Sequence, residues 1–209
     1  MLTFWFDVVC PYSYLLMAEV EQVEDAGLPV RWAPYELRPA PDPLPEPRGR
    51  YIRDHWREAV YPLALAYETE IHVPRSQPRS TLALSAALDA EERGCGRAWR
   101  REAQRAFFVT GDDVSDEDVL RDCATRAGLD PDTTISAAWE PGRLARLRAV
   151  RVEAAAAGVH GVPSLTVDGQ PVFFGAPPPG RVRSALERWD RGSAAGLRAL
   201  LSGRTAGAA

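Results

Sequence analysis

The chain has 209 residues, 45% of them hydrophobic, and a formal net charge of -4. That length can bury a sizeable core, as one domain or as a domain with an insertion. The acidic balance gives no reason to expect nucleic acid or an anionic membrane as partner. All 25 basic residues are arginine, which excludes Schiff-base chemistry on lysine.

Residues 2–9 read as a strand that stops at Cys10. Pro11 follows, and a helical apolar pattern runs over 12–26 to Gly27, a helix-ending glycine. Pro11 suits a first helical position because the N–H it lacks would have had no partner there. Cys10 therefore stands at a helix start, where free N–H groups and the dipole favour a thiolate. Taken alone, such a cysteine is equally a small buried apolar residue. Ser13 occupies the place of a second cysteine in a C-x-x-C pair. A second strand is expected over 29–36.

Pro39, Pro41, Pro43, Pro45 and Pro47 forbid a helix over 39–48 and predict an extended surface loop. The pattern is then helical to residue 157. The expected helices are 51–70 (kinked or broken at Pro62), 79–93, 97–109, 116–127 and 142–157. Ser115 with Asp118 resembles a helix-capping start. Trp56, Tyr61, Tyr67, Phe107 and Phe108 are candidates to line a pocket, with inter-helix packing as the plainer reading of each. Arg75 and Arg79 flank Ser76-Gln77-Pro78 and could meet a carboxylate or phosphate, or simply face solvent.

Gly158 to Gly169 reads as a loop, then Pro163 opening a short strand, then a turn at Asp168-Gly169. A second short strand, 172–175, completes a hairpin. His160, three positions before Pro163, is a candidate base or thiolate partner. A helix near 180–201 and a disordered tail over 202–209 end the chain. Cys95 and Cys123 lie far from Cys10 in sequence, and the three form no metal-ligand pattern.

Four segments carry a resemblance to a known family. They are F-D-x-x-C-P-Y-S at 6–13, Y-E-L-R-P at 35–39, G-V-H-G-V-P-S-L-T-V-D-G at 158–169 and V-F-F-G-A at 172–176. The chain resembles the DsbA-like thioredoxin superfamily, in the branch of 2-hydroxychromene-2-carboxylate isomerases, kappa-class glutathione transferases and cytosolic DsbA-like oxidoreductases. The resemblance implies an α/β fold: a thioredoxin-like domain (1–39 and 158–201) with a large all-helical insertion (40–157). It implies a cis proline at Val162-Pro163 facing Cys10. It makes Cys10 and Ser13 the catalytic pair, with Pro11, Tyr12, Val162 and Pro163 around a low-molecular-weight thiol, glutathione or an analogue. His160 and Arg79 are candidate substrate contacts.

The function expected is a thiol-dependent oxidoreductase, transferase or isomerase acting on a small organic molecule. The alternative is a non-catalytic accessory protein that keeps the fold. Ala176-Pro177-Pro178-Pro179-Gly180 offers no side-chain hydrogen bonds where glutathione-using relatives hold the γ-glutamyl end. The chain opens directly in a strand with no signal region, so a cytoplasmic location is expected. A homodimer is expected by analogy with relatives.

Overall fold

Strand β1, Leu2–Phe6, is buried along its whole length. Its alternating side chains divide the interior in two. Leu2, Phe4 and Phe6 join the main core, while Trp5 joins a smaller one with Cys10, Ala33, Tyr35, Val150, Ala154, Val159 and Val162. The computed structural model describes residues 1–202.

Helix α1 spans Pro11–Asp25 and returns the chain to strand β2, Val30–Pro34, which pairs parallel to β1. After the helical segment, β3 (Ser164–Val167) pairs antiparallel to β1, and β4 (Gln170–Phe174) pairs with β3. The sheet order is β2-β1-β3-β4. The β3–β4 turn uses Asp168 and Gly169, both at positive φ, the backbone a tight hairpin requires. This is a thioredoxin-like α/β fold with a helical insertion between β2 and β3.

The insertion holds α2 (Arg50–His55), a π-helical turn over Trp56–Val60, and α3 (Tyr61–Ala66). Next come α4 (Thr81–Glu92) and α5 (Gly96–Arg105), the latter continued by a second π-helical turn over Ala106–Thr110. Then follow α6 (Glu117–Arg126), α7 (Pro131–Trp139) and α8 (Pro141–Ala156). Arg100 of α5 is buried with its guanidinium 3.8 Å from the centre of the Trp32 ring. It pairs with Glu91 and pins the insertion to β2. On the other side, α8 is tied to β2 by Arg31 and Glu153, at 2.6 Å between Nη2 and Oε2.

Several boundaries differ from the sequence reading. Helix α7 is absent from it; Asp130 caps α7 by accepting the Thr133 N–H at 2.8 Å, and Pro131 takes the first helical position. Asp116, not Ser115, caps α6, accepting the Asp118 N–H at 2.8 Å. Ser115 is instead held by Asp113. The single helix expected at 180–201 is two, α9 (Arg181–Arg188) and α10 (Ala194–Ser202), broken where Arg191 adopts a positive φ. Ser202 belongs to α10; the rest of the tail, 203–209, lies outside the described residues.

Candidate functional site

The cysteine site forms where β1 ends and α1 begins. Cys10 occupies the N-cap position of α1 in extended backbone, with Pro11 as the first helical residue. The Val162–Pro163 peptide bond is cis, as is Ala40–Pro41. The architecture brings the 158–169 loop against the cysteine, and the Cys10 thiol donates to the Val162 carbonyl at 3.4 Å. Ser13 is fully buried beneath this turn, its hydroxyl accepting the Asp7 N–H at 3.4 Å.

The sequence predicts a thiolate at Cys10; the structure corrects this. Cys10 is 3% exposed, and burial pushes its pKa up to about 11. The Ser13 hydroxyl and N–H and the Tyr12 N–H pull it down, as a helix start should, while the charge of Asp7 adds to the rise. Desolvation is the largest effect, so the resting sulfur is a neutral thiol. That agrees with its donating to a carbonyl rather than accepting.

Asp7 is the residue the sequence reading passed over. It lies inside the 6–13 motif and is completely buried. Its carboxylate accepts the Leu37 N–H at 2.8 Å, the Ser80 hydroxyl at 3.0 Å and the Val9 N–H at 3.2 Å. Three segments thus converge on one side chain: the cysteine turn, the exit of β2 and the residue before α4. Burial raises the Asp7 pKa to about 6, against the pull of those three hydrogen bonds. Its partners lie up to 73 positions away, so composition and spacing give no signal for it.

Above the sulfur is a cavity of about 300 Å³. Cys10, Pro11, Tyr12 and Val162 line it from the thioredoxin part; Ile52, His55, Trp56 and Phe107 line it from the insertion. Leu44 and Pro45 of the proline-rich loop form another wall. Most of the lining is apolar, with Tyr12, His55, Arg38 and Gln77 as the larger polar groups. Its site at the seam between two parts of the chain is a common place for small molecules to bind.

Of the aromatic candidates, Trp56 and Phe107 reach this cavity. Phe108 stacks on Tyr14 at 5.0 Å, Tyr61 packs edge-on to Trp56 at 5.6 Å, and the Tyr67 hydroxyl donates to the Pro177 carbonyl at 2.9 Å. Two substrate candidates stand elsewhere. His160 is exposed and lines two other surface depressions; buried Val159 and Val162 anchor its loop and leave the ring in water. Arg79 donates to the carbonyls of Arg38 at 2.7 Å and Asp42 at 2.8 Å, so it satisfies loop backbone. Arg75 is exposed and packs near Gly111. His55 has the place the sequence reading gave to His160.

These features define a thioredoxin-like protein with one cysteine in the turn that opens α1. A family model described as a DSBA-like thioredoxin domain matches residues 1–187, and the chain belongs to that family. It is 30% identical over 131 residues to the uncharacterized protein YwbO of Bacillus subtilis (strain 168), covering 59% of this chain and 64% of that protein. The match thus spans under two thirds of that relative's length. It is 28% identical over 178 residues to 2-hydroxychromene-2-carboxylate isomerase of Sphingobium xenophagum, covering 82% of this chain and 90% of that enzyme.

Solved structures share the fold. A probable DsbA oxidoreductase from Streptomyces coelicolor aligns with TM-score 0.70 at 24% identity, over 90% of this chain and 88% of that one. A 2-hydroxychromene-2-carboxylate isomerase aligns with TM-score 0.71 at 18% identity, over 83% and 88%. The cytosolic disulfide reductase DsbM from Pseudomonas aeruginosa, in a structure with GSH, aligns with TM-score 0.61 at 19% identity, over 97% and 98%.

Proposed function

We propose that this protein is a cytoplasmic thiol-dependent enzyme acting on a small, largely apolar organic molecule, with Cys10 meeting a low-molecular-weight thiol. The observation that carries this reading is the placement of Cys10, against the Val162 carbonyl, at a cavity lined mostly by apolar side chains from both parts of the chain. The similarity to an isomerase over most of the chain supports it. So does the bound GSH of a protein of the same fold.

The protonated state of Cys10 favours the isomerase or transferase form of the chemistry. In that form the neutral thiol hydrogen-bonds a bound thiol, which supplies the nucleophile. Thiol–disulfide exchange is the second reading, supported by the sulfur itself. There, Cys10 thiolate attacks one sulfur of a small disulfide, the S–S bond breaks, and the departing thiolate takes a proton. Ser13 cannot then close a disulfide with Cys10, so an external thiol must release the adduct.

The test assays 2-hydroxychromene-2-carboxylate isomerisation and glutathione-dependent disulfide exchange side by side, in wild type and Cys10→Ser. Isomerisation that survives Cys10→Ser supports the first form, because a serine hydroxyl also donates. Exchange that Cys10→Ser abolishes supports the second. Absence of both activities, with no glutathione bound, contradicts the proposal and favours the accessory-protein alternative.

A further inference from the structure

Among the described residues, the insertion brings the ionisable ring of His55 to the cysteine cavity. His55 closes α2, and its Nε2 lies 3.0 Å from the Tyr12 hydroxyl. The two rings meet edge to face, 5.7 Å apart at 77°. Both line the cavity that Cys10 lines. Tyr12 is the second residue of α1, so this hydrogen bond crosses the seam between the thioredoxin part and the insertion.

On the His55 side, Asp54 pairs with Arg50 and Arg57, and Arg57 also pairs with Glu58. Arg38 and the Cys10 thiol also line the cavity, together with the uncharged Pro74, Gln77, Pro78 and Ser80. Cys10 carries its own proton, which donates to the Val162 carbonyl at 3.4 Å and can turn to a bound sulfur. A thiol bound against it needs another group to take its own proton.

We propose that Tyr12 and His55 form a proton relay that converts a thiol bound in the Cys10 cavity into its thiolate. The inference rests on the thiol-dependent reading above. The bound S–H gives its proton to the Tyr12 oxygen as the Tyr12 hydroxyl proton passes to His55 Nε2. Tyr12 ends as it began, the products are a thiolate and an imidazolium, and no electrons change hands. The N–H groups of Tyr12 and Ser13, which already act on the Cys10 sulfur, favour the new negative charge.

The test follows the ultraviolet band of bound thiolate against pH, as the difference spectrum of the protein with and without reduced glutathione under anaerobic conditions. N-acetylcysteine serves as a minimal second thiol and S-methylglutathione as a ligand with no proton to give. The variants are His55→Gln, which can still hydrogen-bond Tyr12 but cannot take a proton, and Tyr12→Phe. The bound thiol should titrate about one to two units higher in each variant than in wild type, as loss of an adjacent positive charge requires. S-methylglutathione should bind wild type and His55→Gln equally. Unchanged thiol titration in His55→Gln overturns the relay. Loss of S-methylglutathione binding in that variant also overturns it, because the pair is then structural. If neither glutathione nor N-acetylcysteine binds wild type, the relay falls together with the reading beneath it.

Discussion

Two effects compete at Cys10, and burial wins. Four helix-start features favour a thiolate there: the N-cap position, two N–H groups and the Ser13 hydroxyl. Desolvation outweighs them and leaves the pKa at about 11. At pH 7 that leaves the sulfur almost wholly protonated. We therefore expect iodoacetamide to label half-buried Cys95 ahead of Cys10 in the native protein at neutral pH, as read by peptide mass spectrometry. Faster labelling of Cys10 would mean that the resting sulfur is ionised. Asp7 sharpens the point, since its charge is one of the causes of the raised Cys10 pKa. Asp7→Asn should raise the rate of Cys10 labelling at mildly alkaline pH. The same carboxyl also makes stability depend on pH. Its folded pKa of about 6 lies above the ordinary aspartate value of 3.8, so between those values the folded state binds more protons than the unfolded state. Stability from this group is full below about pH 4 and is lost as pH rises through about 6. The stability of wild type relative to Asp7→Asn should fall by about 2 kcal/mol from pH 4 to pH 7, measured by chemical denaturation at each pH. An equal difference at both pH values would show that Asp7 titrates normally. The sequence carries the identity of Cys10 but not its burial, which is why its protonation was misread.

Short elements set the walls of the site. The first turn of α1 places residue 13 three positions beyond the N-cap cysteine, a separation helical geometry can bridge by a disulfide. A glutathione adduct made on Cys10 with glutathione disulfide at alkaline pH should persist in wild type until free thiol is added. In Ser13→Cys the same adduct should release glutathione unaided, followed by intact-protein mass; persistence there would show that the two sulfurs cannot meet. The proline-rich loop is held by Arg79, through the carbonyls of Arg38 and Asp42. Arg79→Ala removes hydrogen bonds made by a charged donor, each worth about 1.5–3 kcal/mol. Because Leu44 and Pro45 line the cavity, the variant should be cut sooner within the 39–48 loop by limited proteolysis and should bind cavity ligands more weakly. Unaltered cleavage would leave the loop anchored by other means. The proline spacing made this loop legible, yet Arg79 as its anchor was not, because its acceptors lie 37 and 41 positions earlier. The sequence predicts a kinked or broken helix at Pro62, yet the run stays helical from the π-helical turn through Pro62 to Ala66. The π-helical turns, beginning at Trp56 and Ala106, are not legible because no glycine or proline stands there.

At the scale of the molecule, a four-stranded sheet supplies a cysteine turn and a proline loop, and the insertion supplies the roof. Apolar runs bounded by turn residues revealed the strands, and family resemblance joined Cys10 to Pro163 across 153 positions. What stayed hidden were the groups whose meaning lies in contact: Asp7 with Ser80, and His55 with Tyr12. His160 and His55 look alike in sequence, and only the fold sends one to solvent and the other to the cavity. Among the described residues no helix is long and apolar enough to cross a membrane. If a small thiol binds where these parts meet, titrating the 15N-labelled protein with reduced glutathione should give saturable backbone amide shifts at Cys10, Tyr12, Ser13, Val162 and His55, all weakened when Ile52→Trp fills the cavity. No shifts, or shifts confined to residues outside the cavity and indifferent to Ile52→Trp, would contradict it.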